Sequence, residues 1–438
     1  MPSRRAVSPS TAHPPRRPGL PKGKGKGKGT SVTHRILVLG AGYAGLTTTA
    51  RLARRLHPHD ARVTLVNANP HFVERVRLHQ LATGQRLADL PLRKLLDGTG
   101  VQLIVGRVAS VDPERRHVRV TGESRDELSL EYDTLVYALG SMADLDVVPG
   151  VAEHAFSVSD TEGAAALHHR AADLGAAGGV LGVVGAGLTG IEAATELAET
   201  YPRLRVRLLS TDAPGDGLSL AAQRHLRRVF RRLDIDVRAD SPVTEVQQDR
   251  LMTTRGDAVP LDATVWTTGF RVPALARESG LAVDHDGRIL VDQTMRSHSH
   301  PNVYAVGDAA LARGPGRLAS QQLRMACGTG VPMGWQAADA IAARITGRDP
   351  HPFRFRYAAQ NISLGRRDGL IQFVRPDDSP HRAILTGRTA ARWKEAVVRG
   401  SVRVMRYPGL YLAPPRRREL PDHAQGREQE AGPVLRRP

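Results

Sequence analysis

The sequence predicts an α/β fold in which one strand–turn–helix unit is used twice, and three observations predict it. Residues 35–56, RILVLGAGYAGLTTTARLARRL, read as a buried strand, a glycine turn and a helix. Residues 179–197, GVLGVVGAGLTGIEAATEL, read the same way, and short β-like runs follow each unit, as in layered α/β chains. Gly40, Gly42 and Gly45, with the small Ala44 between them, carry the G-x-G-x-x-G spacing, and Gly185, Gly187 and Gly190 repeat it. The first glycine of such a set permits a tight turn, the second lets backbone approach a pyrophosphate, and the third lets helix pack on strand. An anion would then rest on the N–H groups of the helix start, where the dipole favours negative charge. One glycine triplet is easily a chance turn; two in equal contexts are not. Two bound dinucleotides, or one and a duplicated fold with a silent second site, are both open at this point.

A chain of 438 residues, 41% of them apolar, has material for two or three domains with cores of their own. Cys327 is its one cysteine, which excludes an internal disulfide, a Cys-x-x-Cys redox pair and a cysteine zinc cluster; no metal site is expected. There is no apolar run of about 18 residues and no charged-then-apolar leader before the first strand, so the expected location is cytoplasmic. Residues 1–33 carry Arg4, Arg5, Arg16, Arg17, Lys22, Lys24, Lys26 and Lys28 with no acid, a large part of the formal charge of +18. The Pro-rich start and the KGKGKGKG run cannot bury enough apolar surface to fold, so 1–33 is read as a disordered basic tail. Such a tail could attract nucleic acid or anionic lipid, but a solvated, neutral extension is the favoured reading and nucleic acid is not an expected partner. Residues 413–438 read as a second polar tail.

In chain order, the first unit is followed by a strand over 62–66 that ends on Asn67, where a dinucleotide fold usually has an Asp or Glu for the ribose hydroxyls. An amide can still hydrogen-bond a ribose hydroxyl. PHFVERVRLHQLATG, residues 70–84, is rich in His and Arg; it is either a segment over the cofactor or a polar surface loop. From Val101 the chain turns to β-like runs, the last of which, LSLEYDTLVYALGS, ends in Ala138, Gly140 and Ser141. After the second unit, a strand over 204–209 ends on Ser210, again without the acid; Ser210 and Thr211 could tolerate a 2′-phosphate, and Arg224 lies on the next helix, so nicotinamide preference is open. LDATVWTTGF, residues 261–270, ends in Thr267, Thr268 and Gly269 as a counterpart of the earlier glycine-terminated strand. HPNVYAVGDAA, residues 300–310, is a strand ending in Gly307 and Asp308 before a helix; Asp308 could accept hydrogen bonds from a polyol chain or serve as an N-cap. Finally ISLGRRDGLIQFV is strand-like, and a helix follows with Arg388, Arg392, Arg399, Arg403 and Arg406 on one face and Trp393, Val397, Val404 and Met405 on the other, interrupted by Lys394 and weakened by Gly400. This helix suits an anionic membrane surface, the sheet of its own chain or a homodimer partner.

The ordered set of two glycine motifs, two glycine-terminated strands and VYAVGDAA resembles the two-dinucleotide-binding-domain flavoproteins of the pyridine nucleotide-disulfide oxidoreductase superfamily, over roughly residues 33 to 345. The resemblance implies two Rossmann-like FAD/NAD(P)-binding domains with a small α+β C-terminal domain: an FAD part at 34–145, an NAD(P) part at 146–271, a second FAD part at 272–345, and an interface or membrane-facing domain at 346–412. It places Gly40, Gly42, Ala44, Gly45, Asn67, Val108, Gly140, Gly307 and Asp308 at FAD, with Asp308 on the ribitol. By the same resemblance Gly185, Gly187, Gly190, Ser210 and Glu192 would line the nicotinamide site, and Gly269 would be cofactor-binding. Disulfide reductases are ruled out because no Cys-x-x-x-x-Cys follows the first motif. The segments HF...LHQLATG (His71, Phe72, Gln80, Ala82, Thr83, Gly84) and GAGLTGIEAATEL (Glu192, Glu196) are most similar to type II NADH dehydrogenases and related apoptosis-inducing-factor-like oxidoreductases.

The activity implied is FAD-dependent NAD(P)H oxidation with a small-molecule acceptor, quinone being the family's. The A-Q-x-A-x-Q quinone signature is replaced here by ASQQLRMACGTG, with Gln321 and Gln322 nearest in kind. Glu192 matches the family's glutamate beside the nicotinamide and would act there; otherwise it is a first-turn helix acid. Cys327 either lies near the flavin or packs as a small hydrophobe. Peripheral attachment to the inner face of the cell membrane would suit such an enzyme. The alternative function is a non-catalytic flavin- or nucleotide-binding signalling protein, which the basic tails alone support.

Overall fold

The computed structural model describes residues 33–122, 124–314 and 322–406. The tail read at 1–33, apart from Thr33, and that at 413–438 lie outside the described residues.

The first glycine motif joins strand His34–Leu39 to helix Tyr43–Arg55. Its Ile-Leu-Val-Leu run is almost wholly buried, because the strand is the centre of a parallel sheet covered on both faces. Across that sheet the parallel strands run Gln102–Asp112, Ala61–Asn67, His34–Leu39, Thr134–Tyr137 and Val303–Ala305. Strand Gln102–Asp112 continues past its parallel pairing into an antiparallel meander with His117–Gly122 and Glu127–Glu131.

The second motif repeats this plan. Its sheet runs Asp236–Arg238, Arg205–Leu209, Val180–Val184, Ala263–Trp266 and Ala155–Ser157, all parallel, with the glycine-motif strand again in the middle. Thr134–Tyr137 and Ala263–Trp266 hold the same place beside their motif strands, so the two glycine-terminated strands are counterparts in topology as well as sequence. A small antiparallel sheet, Ala359–Ser363, Gly369–Val374 and Pro380–Thr386, followed by helix Gly387–Arg406, forms the C-terminal part.

Two expectations about elements need correction. No long helix follows Asp308: it lies in a single 3-10 turn, Gly307–Ala309, and the chain returns to a short strand, Ala310–Leu311, so Asp308 caps nothing. The helix that covers this edge starts at Cys327 and runs to Ile345. It crosses Tyr43–Arg55 so closely that a Cβ on Gly334 would stand 2.6 Å from the Ala44 carbonyl oxygen. The final helix also turns differently from the expected apolar face. Ala390, Lys394 and Met405 are buried, whereas Trp393 and Val397 are 50% and 40% exposed. The buried side follows contacts with the sheet rather than side-chain polarity; the side chains of Val404 and Arg406 lie outside the described residues.

Candidate functional site

The two glycine turns have nearly the same geometry. Gly40 and Gly185 adopt φ of +96° and +103°, which only glycine takes easily, and a Cβ on Gly40 would press within 2.4 Å of the Ala138 carbonyl oxygen. On Gly45 and Gly190 a Cβ would fall 1.9 and 1.8 Å from the carbonyl oxygens of Gly40 and Gly185, so these glycines set helix against strand. Gly42 and Gly187, by contrast, look into open space, with nothing within 4 Å. Each is the N-cap of its helix, neither helix has a capping side chain, and neither has an acid in its first turn. Bare N–H groups at a positive helix end, with room beside them, are what a pyrophosphate requires. Glu192 is the fifth residue of helix Leu188–Thr200, beyond the first turn, so the helix-end role does not describe it.

Around the first turn lie the other residues assigned to FAD. Asn67, at the end of its strand, accepts a hydrogen bond from the Ala41 N–H (2.8 Å) and donates to the Asn69 carbonyl (2.7 Å). Its amide therefore fastens the glycine loop, and only its remaining acceptor capacity is left for a ribose. Val108 lies three residues beyond Val105, which pairs with Asn67, and is half-buried in the meander at a bulge. Gly140 is left-handed with open space beside it, and Gly307 faces the Ala44 methyl group, where a Cβ would sit 3.0 Å away. The structure joins two distant strand ends here: Ser141 Oγ donates to Asp308 Oδ2 at 2.7 Å, and Arg75 Nη1 approaches the same oxygen at 3.9 Å.

At the second turn, Thr267 Oγ1 bonds the Val184 and Gly185 carbonyls, and the Gly269 carbonyl accepts from the Asp144 N–H. Ser210 is buried and its hydroxyl donates to the Asp212 carbonyl at 2.5 Å, so it shapes the loop that follows. Arg224 is exposed on helix Leu220–Arg232.

Between the two turns and the C-terminal part lies a buried polar cluster. Glu192 Oε1 accepts from the Ser363 N–H (2.9 Å) and from Lys394 Nζ, while Oε2 is 3.8 Å from His79 Nδ1. Burial pushes His79 well below its ordinary value, and the cations Lys394 and Arg366 push it the same way, so it is a neutral ring near neutral pH. Among the described residues its Nε2 is buried without a partner, as is the Tyr43 hydroxyl. Orphaned buried polar atoms and two uncapped glycine cradles fit a chain that holds dinucleotides. One turn further along the same helix, buried Glu196 takes Arg366 and Gln85.

His79 and Lys394 are the residues that sequence reasoning missed. Lys394 was visible only as a charge on an otherwise apolar stripe; a buried lysine needs a carboxylate, and that was the available signal. The segment 70–84 is not a polar surface loop, since Leu78, His79 and Gln80 are buried in a single helical turn. Cys327 opens its helix, packs against the core, and has its thiol pushed up by burial. Gln322 is taken up by Arg288 (2.6 Å), and Gln321 lies outside the described residues.

The chain is similar in sequence and fold to known proteins. The NADH dehydrogenase-like protein of Mycobacterium tuberculosis is 30% identical over 322 residues, covering 68% of this chain and 78% of the relative. The type II NADH:quinone oxidoreductase of Staphylococcus epidermidis is 26% identical over 364 residues, covering 77% and 89%. Among solved structures, the sulfide:quinone oxidoreductase of Aquifex aeolicus shares the fold with a TM-score of 0.72 at 22% identity, over 85% of this chain and 92% of that one. Residues 34–342 match the pyridine nucleotide-disulphide oxidoreductase family, and the chain belongs to it.

Proposed function

We propose that this chain is an FAD-dependent NAD(P)H dehydrogenase of the type II kind that delivers electrons to a quinone. The observation that carries the reading is the pair of matching uncapped glycine turns, each at the middle strand of its own parallel sheet, with the Glu192–Lys394–His79 cluster buried between them and the C-terminal part. Bound FAD would supply the redox chemistry, accepting hydride from the reduced nicotinamide and yielding electrons to the acceptor. The first turn, with Gly42 open and Asn67 fastening the loop, would hold the FAD pyrophosphate; Asp308, braced by Ser141, would hold the polyol chain. The second turn would hold the nicotinamide dinucleotide. Glu192, fixed by Lys394 and the Ser363 N–H, would orient the nicotinamide or hold a proton beside it. Quinone as acceptor is supported by the names of the relatives.

Among the described residues no helix is long and apolar enough to cross a membrane. The outward Trp393 and Val397, one turn apart on an arginine-bearing helix, would suit peripheral contact with an anionic membrane, and all protein remaining unbound in a liposome flotation would remove that element.

The test is the visible absorbance of the purified protein under anaerobic conditions. Flavin bands should bleach on addition of NADH or NADPH and return on addition of a short-chain quinone. Flavin that neither nucleotide bleaches would overturn the enzyme reading in favour of a binding protein, and bleaching that quinone fails to reverse would overturn the acceptor.

A further inference from the structure

Helix Leu220–Arg232 carries a cluster of charge that the proposed reaction leaves unused. Arg224, Arg227, Arg228 and Arg231 fall within about 100° of arc on a helix of 3.6 residues per turn, so they form one face. All four are exposed, and none has a carboxylate partner among the described residues; the neighbouring Arg232 and His225 are the ones that pair, both with Asp368. Like charges three and four residues apart repel, so an anion on this face relieves a repulsion already present. The arginines border a cleft of about 740 Å³, within the usual range for small-ligand sites. Its other walls are apolar: Ile235 and Val237 at the edge strand, Ile384 from the C-terminal sheet, and Ala213 and Pro214 from the loop after Ser210. Guanidinium groups on one side recognise phosphates in bidentate fashion, and an apolar floor on the other accepts a flat heterocycle.

We propose that this cleft is a further nucleotide site, separate from both glycine turns, which binds a nucleoside polyphosphate with its phosphates on Arg224, Arg227, Arg228 and Arg231 and its base against Val237 and Ile384. The site goes beyond the dehydrogenase reading and does not depend on it. The rival source of the same chemistry is the adenosine end of the nicotinamide dinucleotide, because Pro214 follows Ser210 so closely.

Calorimetric titrations of the full-length, FAD-loaded protein with ATP, in about 0.15 M salt, first without NAD⁺ and then with NAD⁺ saturating the dinucleotide site, separate these sources. One saturable ATP site is expected, weakened at least about tenfold by R227E/R231E and by a few-fold by V237D, with inorganic tripolyphosphate binding more weakly than ATP. Both variants change exposed side chains, and retained flavin absorbance and thermal midpoint confirm their fold. Three results would overturn the proposal: no saturable binding below about 1 mM; ATP binding that NAD⁺ abolishes, which assigns it to the dinucleotide site; or tripolyphosphate binding as tightly as ATP with V237D silent, which marks a bare polyanion patch.

Discussion

A methyl group has room at Gly42 and Gly187 and none at Gly45 and Gly190. Alanine at the open pair should therefore leave stability within about 1 kcal/mol of the parent, while crowding the approach of a pyrophosphate. Gly42→Ala should release FAD about tenfold more readily, and Gly187→Ala should keep its flavin but raise the NADH KM; equilibrium dialysis and steady-state kinetics measure the two. Gly45→Ala should instead lose about 3 kcal/mol or more in denaturant unfolding, since the Gly40 carbonyl must move. At Glu192 the pair is the unit. Removing Lys394 leaves a buried carboxylate with one backbone N–H and a neutral histidine, so Lys394→Met and Glu192→Gln should each slow flavin reduction about tenfold or more, and the double variant should be little worse than either. Additive losses in stopped-flow measurements would separate the two roles. The glutamate was legible from its place on the second glycine helix. Its partner was not, because the two are 202 residues apart, and the place of Lys394 on an apolar stripe calls for a carboxylate without saying which one.

Elements defined by local pattern were the most readable. Both glycine units and the glycine-terminated strands follow from short-range rules, apolar runs and turn chemistry, and they occur where expected. The helix after Asp308 failed because a Gly-Asp-Ala-Ala run serves a 3-10 turn as well as an N-cap, and pairing of Ala310–Leu311 with Ile289–Leu290 decides between them. The outward side of Trp393 could not be read either, since both stripes of its helix carry apolar residues and only the sheet beneath selects one. That sheet is tied in by Asp368, whose carboxylate takes His225 and Arg232 from helix Leu220–Arg232 and the N–H groups of Gly369 and Gly387. Burial alone would raise this carboxyl, but those hydrogen bonds outweigh it and hold it at about 2. A depressed folded value means that the contribution is present above about pH 4 and lost as pH falls towards about 2. Asp368→Asn should accordingly cost about 2 kcal/mol at neutral pH in urea unfolding, with the difference from the parent shrinking over that acid window.

For the molecule as a whole, the surroundings of the first glycine turn are assembled from pieces far apart in the chain. The turn at Gly42, the strand end at Ser141 and the acid at Asp308 meet because strand Thr134–Tyr137 pairs with both His34–Leu39 and Val303–Ala305, and the helix Cys327–Ile345 packs over Ala44. A ligand seated there binds the folded state alone, so stripping FAD should lower the thermal midpoint by about 5 °C, and restoring FAD should recover it. The C-terminal helix reaches across the same assembly through two successive residues. Lys394 grips Glu192 on the second glycine helix, and Glu395 accepts from Nη1 and Nη2 of Arg77 beside the first. Both halves of the molecule are thus latched by one rung of one helix, so that whatever loosens this helix loosens both latches together.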